Sequence, residues 1–306
     1  MYLAVDGGGT KTHVLLANSR GEVLAQAQAG PLSWASVSRD ESWQNLEQAL
    51  QEAQKQTNFD EPLTKVLIGL AGMDTVPEKN EMSAFFENKL RNLVPGPIIC
   101  INDSQIALAS GSQAANGVVL IAGTGSACFG KNVQGQEAKA GGLDFFLTDQ
   151  GSAFDIGHQI LLAAEQSWDG RGPKTILEEK VLTYFQIKNM LDLKHKVYGD
   201  SFSKTEIAKL ATFYDDEQVR NDQTAQAILD DAMKKLMVHI QAVVRRLGLD
   251  QEEFDLVLTG GLFRHKVIDP NNLASALRQQ FPHFNTILPQ KPPVYGALQL
   301  LLVSAK

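Results

Sequence analysis

Four glycine-rich turns that follow apolar runs are the clearest candidates for anion binding. They are Gly7-Gly8-Gly9, Gly123-Thr124-Gly125, Gly141-Gly142 and Gly260-Gly261. Glycine has no Cβ, so its backbone N–H groups approach an anion closely, and successive N–H groups form an anion-binding nest. Any one such turn is more often a simple strand connection. Two of the turns carry threonines, Thr10 and Thr124, and this repetition favours binding to two sets of phosphate oxygens.

Three aspartates lie at strand ends or in turns, where catalytic groups are usually placed. Asp6 ends the first apolar run beside the first glycine turn, where it is suited to holding Mg²⁺ through water. Asp103 follows the apolar run 98–101, and Asp149 precedes a long helical segment. Both of these last two are equally suited to cap a helix, a common role for aspartate. The spacing alone leaves the two roles open.

Other familiar motifs are missing. The chain has neither the P-loop pattern G-x-x-x-x-G-K-[ST] nor the dinucleotide pattern G-x-G-x-x-G. Its six histidines have no metal-ligand spacing, and no serine lies in a G-x-S-x-G elbow. The two cysteines, Cys100 and Cys128, form neither a disulfide framework nor a CxxC knuckle. Hydrolytic chemistry based on zinc or on a nucleophilic serine is therefore not favoured.

The predicted strands and helices that carry these groups form two similar series. In the first, apolar and amphipathic runs predict the order β-β-β-α-β-α-β, which indicates an α/β sheet with an antiparallel portion. One helix begins at the capping box of Ser38 and Glu41. The predicted strands are 2–5, 14–17, 22–29, 66–70 and 98–101, and a second helix is predicted over 78–93.

The pattern restarts near residue 113. Strands are predicted at 117–123, 127–133, 255–259 and 285–288, with mostly helix over 151–246 and a terminal helix from residue 294. Each series opens with a strand, a glycine-rich turn and a threonine: DGGGT at 6–10 and AGTGS at 122–126. We therefore predict one lobe of residues 1–113, completed by a C-terminal helix over 293–306, and a second, helix-rich lobe of residues 114–292.

Length and charge narrow the class of protein. The chain has 306 residues, and at ~150 residues per domain this predicts about two domains. Its net charge of −7 argues against nucleic acid or an anionic membrane as the main partner. No run reaches the ~18 apolar residues of a membrane span, and the N-terminus lacks the basic segment of a signal peptide. We expect a soluble, cytoplasmic protein, with the oligomeric state open and a homodimer as one candidate.

Seven segments, in this order, resemble those of the BadF/BadG/BcrA/BcrD-type ATPases, and most closely the branch of N-acetylglucosamine kinases and glucosamine kinases. They are DGGGTKT (6–12), IGLAG (68–72), INDS (101–104), LIAGTGS (120–126), GGLDFFLTDQGSAFDIG (141–157), LTGG (258–261) and YGAL (295–298). Each segment alone is a weak signal. Together they cover nearly the whole chain and are specific for the superfamily, though less so for the substrate.

The resemblance implies an actin-like, hexokinase-like fold of two RNase H-like lobes, with ATP and sugar in the cleft between them. It implies an ATP-dependent amino-sugar kinase in which Asp6 organises Mg²⁺ and Asp103 is the base that accepts the proton of the sugar 6-hydroxyl. ATP and its phosphates would be bound by Gly8, Gly9, Thr10, Lys11, Gly123, Thr124, Gly125, Gly260 and Gly261. The sugar would be bound by Asp103, Gly141, Gly142 and Asp149.

Two departures from the family pattern concern the acceptor. N-acetylglucosamine kinases typically carry Gly-Gly-Trp-Gly-His before the aspartate, whereas this chain has GGLDFF at 141–146, followed by TDQGS at 148–152, which looks more like the glucosamine kinases. The extra Asp144 either favours a cationic amino group or faces solvent. The sugar-contacting asparagine expected after the third strand is absent, so either Ser33 or Ser36 replaces it or the acceptor differs.

Two alternatives belong to other functional classes. One is an ATPase activator of a 2-hydroxyacyl-CoA dehydratase, which holds an iron–sulfur cluster through cysteines. Neither Cys100 nor Cys128 lies in a glycine-flanked ligand loop, which argues against it. The other is a non-catalytic sugar sensor. Four retained residues argue against it: Asp6, Thr10, Asp103 and Thr124.

Overall fold

The computed structural model describes residues 1–57, 62–199 and 203–303. Its strands are β1 (Tyr2–Gly7), β2 (Thr12–Ala17), β3 (Val23–Ala29), β4 (Lys65–Leu70), β5 (Ile98–Asn102), β6 (Gly117–Ala122), β7 (Ser126–Lys131), β8 (Glu137–Gly141), β9 (Phe254–Thr259) and β10 (Phe284–Ile287). They form two five-stranded sheets, ordered β3-β2-β1-β4-β5 and β10-β9-β6-β7-β8. Counted along the chain, both sheets have the same arrangement, with the first strand central and the second and fourth beside it. The predicted α/β class is confirmed.

The helices begin and end largely where capping residues and glycines or prolines dictate. They are α1 (Arg39–Gln54), α2 (Val76–Leu90), α3 (Asp103–Gly111), α4 (Ala153–Asp169), α5 (Leu177–Phe185), α6 (Leu193–Val197), α7 (Lys204–Lys209), α8 (Glu217–Arg220), α9 (Gln223–Arg246), α10 (Gly261–Arg264), α11 (Pro270–Arg278) and α12 (Val294–Val303), with short 3₁₀ segments at Met190–Asp192 and Leu210–Asp215. Within the described residues, no helix combines the length and the apolar character that crossing a membrane requires.

The parallel part of the first sheet brings several predicted site residues to one edge. β1 pairs in parallel with β4, and β4 in parallel with β5, so that Gly7 lies opposite Leu70 and Leu70 opposite Asn102. Asp6 therefore lies near the carboxyl end of β1, and Asp103 immediately follows the end of β5. Two strand spacings amount to about 10 Å. This edge of the sheet is where the chain changes from strand to turn or helix.

The described coordinates divide into two compact units, Met1–Val119 with Ile287–Lys306, and Leu120–Thr286. The break falls inside β6, a few residues after the boundary that the sequence predicts. In the first unit, α12 returns to the sheet and packs its apolar face on β1. Its buried side chains Val294, Leu298 and Leu301 share one core cluster with Ala4 and Leu15.

Two elements differ from the sequence-based expectation. The segment 135–142 is polar and contains several glycines, and no strand is predicted there, but it contains the strand β8, which pairs antiparallel with β7. Its sequence EAKAG has low strand propensity, so the pairing partner rather than the local sequence makes it a strand. The helix expected from residue 78 begins at Val76, because Thr75 and Glu78 form a reciprocal capping box.

Candidate active site

In the first unit, the turn after β1 is fixed by backbone hydrogen bonds. The N–H of Gly8 donates to the Lys11 carbonyl at 3.0 Å, and the Gly8 carbonyl accepts from the Leu32 N–H at 3.1 Å. The preceding Gly7 carbonyl accepts from the Ala71 N–H at 3.0 Å. The turn is thus tied to the segments that follow β3 and β4, which leaves its tip at Gly9 and Thr10 exposed.

The carboxyl group of Asp6 has a strongly raised pKa. Burial, and then the charge of Asp103, raise its pKa to about 7, while Lys11 opposes the shift. A carboxylate held this way gains from a nearby cation. Among the described residues, no group of three or more His, Cys, Asp or Glu side chains could hold a metal by themselves. The carboxylate of Asp6 is a ligand type that fits Mg²⁺, because this ion takes one or two carboxylates and completes its shell with phosphate and water oxygens.

Asp103 begins α3 but does not cap it. Asn102 is the N-cap, and its side-chain oxygen accepts from the Ser104 N–H at 3.0 Å. The Asn102 amide in turn donates to the Met73 carbonyl at 3.1 Å. Helix capping, one of the two roles left open for Asp103, is therefore wrong. The carboxylate is half-buried and close enough to Asp6 to raise its pKa.

Ser33 and Ser36, the candidates to replace the missing asparagine, have different surroundings. Ser33 is buried, and its carbonyl accepts from the Ser36 N–H at 2.9 Å. Ser36 is exposed, and a Cβ built on Gly9 would lie 3.4 Å from its hydroxyl oxygen. Of the two hydroxyls, the one on Ser36 lies beside the first glycine turn.

In the second unit, the turn after β6 packs on the start of α4. The Gly123 N–H donates to the Gly125 carbonyl at 2.9 Å, which closes the turn. The carbonyls of Gly123 and Thr124 accept from the N–H groups of Ala153 and Phe154, at 2.9 and 3.2 Å. The turn is therefore held against the N-terminus of a 17-residue helix, an end whose dipole favours anions.

Asp149 lies beneath this turn and is almost completely buried, at 4% exposed. Its Oδ1 accepts from the Ser126 N–H at 3.3 Å, and its Oδ2 accepts from Lys204 Nζ at 2.8 Å. A methyl group on Gly125 would lie 2.6 Å from Oδ2, so only glycine fits there. The N-cap of α4 is Ser152, whose hydroxyl accepts from the backbone of the first turn. The capping role left open for Asp149 is therefore also wrong.

Lys204 was not found by the sequence analysis. It begins α7, 55 residues after Asp149, and forms ion pairs with both Asp149 and Asp144. Burial alone would lower the pKa of Lys204, but the two carboxylates raise it above its ordinary value, so the side chain stays charged. Asp144 is thus paired with a cation rather than turned to solvent alone. No motif in the sequence marks a partnership over this separation.

The predicted glycine pair Gly141-Gly142 lies against the same cluster. The Gly142 N–H donates to the Ser126 carbonyl at 3.0 Å. A Cβ on Gly141 would lie 3.3 Å from the ring of His239, a buried histidine of α9. Burial lowers the pKa of His239, while the charge of Asp149 opposes the shift. The second unit therefore brings the turn after β6, the glycine pair and Asp149 into one site.

The fourth glycine turn adjoins the second. Gly260 has φ +114°, and a Cβ there would lie 2.1 Å from the Ala122 carbonyl oxygen. A Cβ on Gly123 would lie 3.8 Å from the Gly261 nitrogen. Two glycine turns from distant parts of the sequence thus lie side by side at the ends of β6 and β9.

An apolar surface borders Asp149. Between the glycine pair and Asp149, the chain exposes Leu143, Phe145, Phe146 and Leu147, and Phe146 is 88% exposed. The Phe145 ring lies 4.9 Å from that of Phe154 in α4, centroid to centroid, and 5.6 Å from Lys204 Nζ. We call the segment Leu143–Leu147 the aromatic loop.

Comparisons with known proteins agree with this architecture. The family model described as "BadF/BadG/BcrA/BcrD ATPase family" matches residues 3–300. Taken with the two equivalent sheets and their glycine turns, this match assigns the class: the chain belongs to the BadF/BadG/BcrA/BcrD ATPase family.

Two curated relatives match this chain over nearly their whole lengths. The chain is 31% identical to the N-acetylmuramic acid/N-acetylglucosamine kinase of Clostridium acetobutylicum over 97% of this chain and 96% of that protein. It is 30% identical to the N-acetyl-D-glucosamine kinase of Dictyostelium discoideum over 100% and 99%. A crystal structure of a proposed N-acetylglucosamine kinase from Chromobacterium violaceum superposes with a TM-score of 0.76, 24% identity and 98% coverage of both chains. This last likeness confirms the sugar-kinase fold expected from the resemblance.

Proposed function

We propose that this chain is a kinase that transfers the γ-phosphoryl group of ATP to the 6-hydroxyl of an amino sugar, glucosamine or N-acetylglucosamine. One observation carries the proposal. Asp103 begins a helix and Asp149 precedes one, and in both cases a neighbouring residue is the N-cap of that helix. Capping therefore does not explain either aspartate. The names of the two curated relatives support the choice of acceptor class.

The proposed reaction needs positioning and charge stabilisation more than covalent help from the protein. Backbone N–H groups and hydroxyls of the turns at 8–11 and 123–125 bind the phosphate oxygens. Asp103 accepts the proton of the sugar hydroxyl as its oxygen attacks the γ-phosphorus. A general base of this kind contributes ~10²–10⁴-fold in rate. The turn at Gly260-Gly261 is proposed to contact the adenosine.

Asp6 is the proposed contact for Mg²⁺, through water. The oxygen donors described above fit this ion, and Mg²⁺ when bound neutralises charge on the phosphates. Asp6 supplies the carboxylate, whose pKa is raised by burial and by the charge of Asp103 and lowered in part by Lys11. Its ionised form is the one that such a cation would favour.

On the acceptor side, the contacts favour the N-acetyl sugar over the free amine. Asp144, the side chain that would attract a cationic amino group, is paired with Lys204. The ammonium of Lys204 would also repel a second cation. The neighbouring aromatic loop offers apolar surface suited to an acetyl methyl group. We therefore propose N-acetylglucosamine as the better of the two substrates.

The activator alternative gains no support from the cysteines. Cys100 lies in β5 and Cys128 in β7, and both are buried. Burial raises the pKa of Cys100 to about 12 and raises that of Cys128 further. Thiolates that ligate a cluster at a chain interface need the opposite surroundings.

The proposal is tested by measuring ADP release with Mg-ATP and equal concentrations of N-acetylglucosamine, glucosamine, glucose or no sugar. We expect the strongest stimulation by N-acetylglucosamine, with phosphate found on the 6-oxygen by NMR of the product. The matched control is Asp103→Asn, which keeps the shape of the side chain and removes the base. It is expected to bind ATP nearly as the wild type does and to lose orders of magnitude in kcat. Release of ADP at one rate with every sugar would contradict the proposal.

A further inference from the structure

Lys204 is a charged side chain of the second unit's candidate site to which the proposed phosphoryl transfer assigns no step. Its ammonium lies between the carboxylates of Asp149 and Asp144. The side chain is 27% exposed, whereas Asp149 is 4% exposed. Lys204 therefore reaches from the partly exposed start of α7 to a buried carboxylate.

The contacts of Asp149 fix its orientation. One oxygen accepts the Ser126 N–H and the other accepts Lys204 Nζ. An ionised carboxylate has about four lone-pair directions, so acceptor positions remain on both oxygens. A Cβ built on Gly125 would lie 2.6 Å from Oδ2, so the space on that side of the carboxylate is limited. If Lys204 were absent, only the Ser126 N–H of these two donors would define the carboxylate plane.

The position of Lys204 is set in turn by Asp144. Asp144 has a left-handed backbone, φ +72°, and its side chain accepts from the Phe145 N–H at 2.9 Å. Its carbonyl accepts from the Thr148 N–H at 3.0 Å, which closes the aromatic loop into a turn. A rigid carboxylate of this kind holds the ammonium on one side while Asp149 holds it on the other. The order of contacts is Asp144, Lys204, Asp149.

We propose that Lys204 is a positioning residue that orients the Asp149 carboxylate toward the hydroxyls of the acceptor, and that Asp144 acts on acceptor binding through Lys204. This inference rests on the proposed function, because it takes Asp149 to be an acceptor ligand. It predicts an effect confined to the acceptor side of the reaction. If the lysine only connected α7 to the aromatic loop, its loss would change the stability of the protein but would not affect the KM for sugar more than the KM for ATP.

The test compares Lys204→Met and Lys204→Arg with the wild type and with Lys180→Met. Lys180 is a matched control, because it is 28% exposed in the same unit and pairs with Asp216, outside the candidate site. Acceptor binding is measured by calorimetry with N-acetylglucosamine, and KM is measured separately for sugar and for ATP. Thermal unfolding of each variant accounts for changes in stability.

We expect Lys204→Met to weaken sugar binding and raise the sugar KM roughly 10- to 100-fold, as for loss of one hydrogen bond to a charged group. The KM for ATP stays within about twofold. Lys204→Arg, which keeps a cationic donor, recovers most of the affinity. Lys180→Met lowers stability to a similar extent and binds sugar as the wild type does.

Asp144→Asn supplies a second, independent readout. Because Asp144 is proposed to act through Lys204, its effect is expected to be smaller than that of Lys204→Met. The double variant Asp144→Asn with Lys204→Met is then expected to bind sugar no more weakly than Lys204→Met alone. Such non-additivity is what a shared pathway produces.

Three other outcomes would each overturn the proposed role of Lys204. If the wild type binds the sugar and Lys204→Met binds it equally well, the positioning role is overturned while the proposed function stands. If Lys204→Met loses only an acceptor bearing a carboxylate, such as N-acetylmuramic acid, Lys204 contacts the substrate directly and the inference is also overturned. If the wild type binds no amino sugar, the proposed function falls and takes this inference with it.

Discussion

Asp103 and Asp149 are both aspartates near the start of a helix, α3 and α4. In both cases a neighbouring residue caps the helix, so the aspartate does not have that role. Asn102 supplies the cap of α3, and Ser152 supplies that of α4. A side-chain oxygen of an N-cap satisfies one of the four otherwise unpaired N–H groups of the helix start. Once a neighbouring residue has done so, the aspartate is not needed for that purpose. Whether an aspartate at a helix start serves as its cap thus depends on the identity of the adjacent side chain.

The buried ring of His239 leads to a prediction about how the stability of the protein depends on pH. Burial lowers its pKa below the ordinary value of 6.5, so the unfolded chain binds a proton below about pH 6.5 that the folded chain does not. Stability contributed by the neutral ring is therefore present above this pH and is lost as the pH falls through it. In urea unfolding between pH 7 and pH 5, we expect His239→Gln to reduce the steepness of the loss by up to about 1 kcal/mol per pH unit.

The control for this measurement is His283→Gln, which removes an exposed imidazole of the same unit. The comparison concerns the slopes against pH and not the absolute stabilities, because a glutamine at position 239 leaves a buried amide to be satisfied. Parallel curves for wild type and His239→Gln would show that the ring does not titrate differently on folding.

At the scale of elements, the glycine turns work because strands and turns from separate parts of the chain approach closely. Gly260 combines a positive φ with a close approach to the backbone of β6. A residue with a Cβ is strained at the φ of +114° and ψ of 172° of Gly260, by about 1–3 kcal/mol. At Gly260 the methyl group would also meet a carbonyl oxygen that can move only together with β6.

We therefore expect Gly260→Ala to be more destabilising than Gly135→Ala by about 1–3 kcal/mol. Gly135 has φ +76° and nothing within 4 Å of a built Cβ, so alanine there introduces strain from a positive φ without a contact. Because Gly261 adjoins the turn at Gly123, the Gly260→Ala variant is also expected to have a raised KM for ATP. Chemical unfolding and ATP titration check the two parts, and equal losses of stability at the two glycines would contradict the first.

For the molecule as a whole, the first unit is built from two segments that are far apart in the sequence, Met1–Val119 and Ile287–Lys306. α12 buries Leu301 against the first sheet, although the whole second unit, Leu120–Thr286, lies between this helix and the rest of the first unit in the sequence. Truncating a fully buried leucine to alanine costs about 2–5 kcal/mol. The first unit therefore depends on a helix that follows the whole second unit in the sequence.

Leu301→Ala is expected to destabilise the first unit selectively. Amide hydrogen exchange followed by mass spectrometry should show lost protection in β1 and α3, while α9 in the second unit keeps its protection. Val303→Ala is the matched control, because Val303 lies in the same helix and is 62% exposed. It is expected to change stability by no more than about 0.5 kcal/mol. Equal loss of protection in both units would show that they unfold together.

Much of the fold and part of the candidate site could be predicted because the signals are local. Hydrophobic period indicates strands and helices, and glycine-rich turns after apolar runs mark where the backbone can approach an anion. The echo between DGGGT and AGTGS indicated two similar series, and two sheets of the same order confirm that α/β architecture. The seven ordered motifs indicated the family.

What the sequence left open depends on contacts between residues far apart in the chain. Lys204 lies 55 residues from Asp149, and no spacing rule connects a helix start to a buried carboxylate at that distance. β8 is a strand only because β7 lies beside it. The adjacency of Gly123 and Gly261 likewise follows from the placing of β9 beside β6. Local patterns set which conformation each segment prefers, but only the packed tertiary structure brings distant side chains together and so decides which partner each charge has.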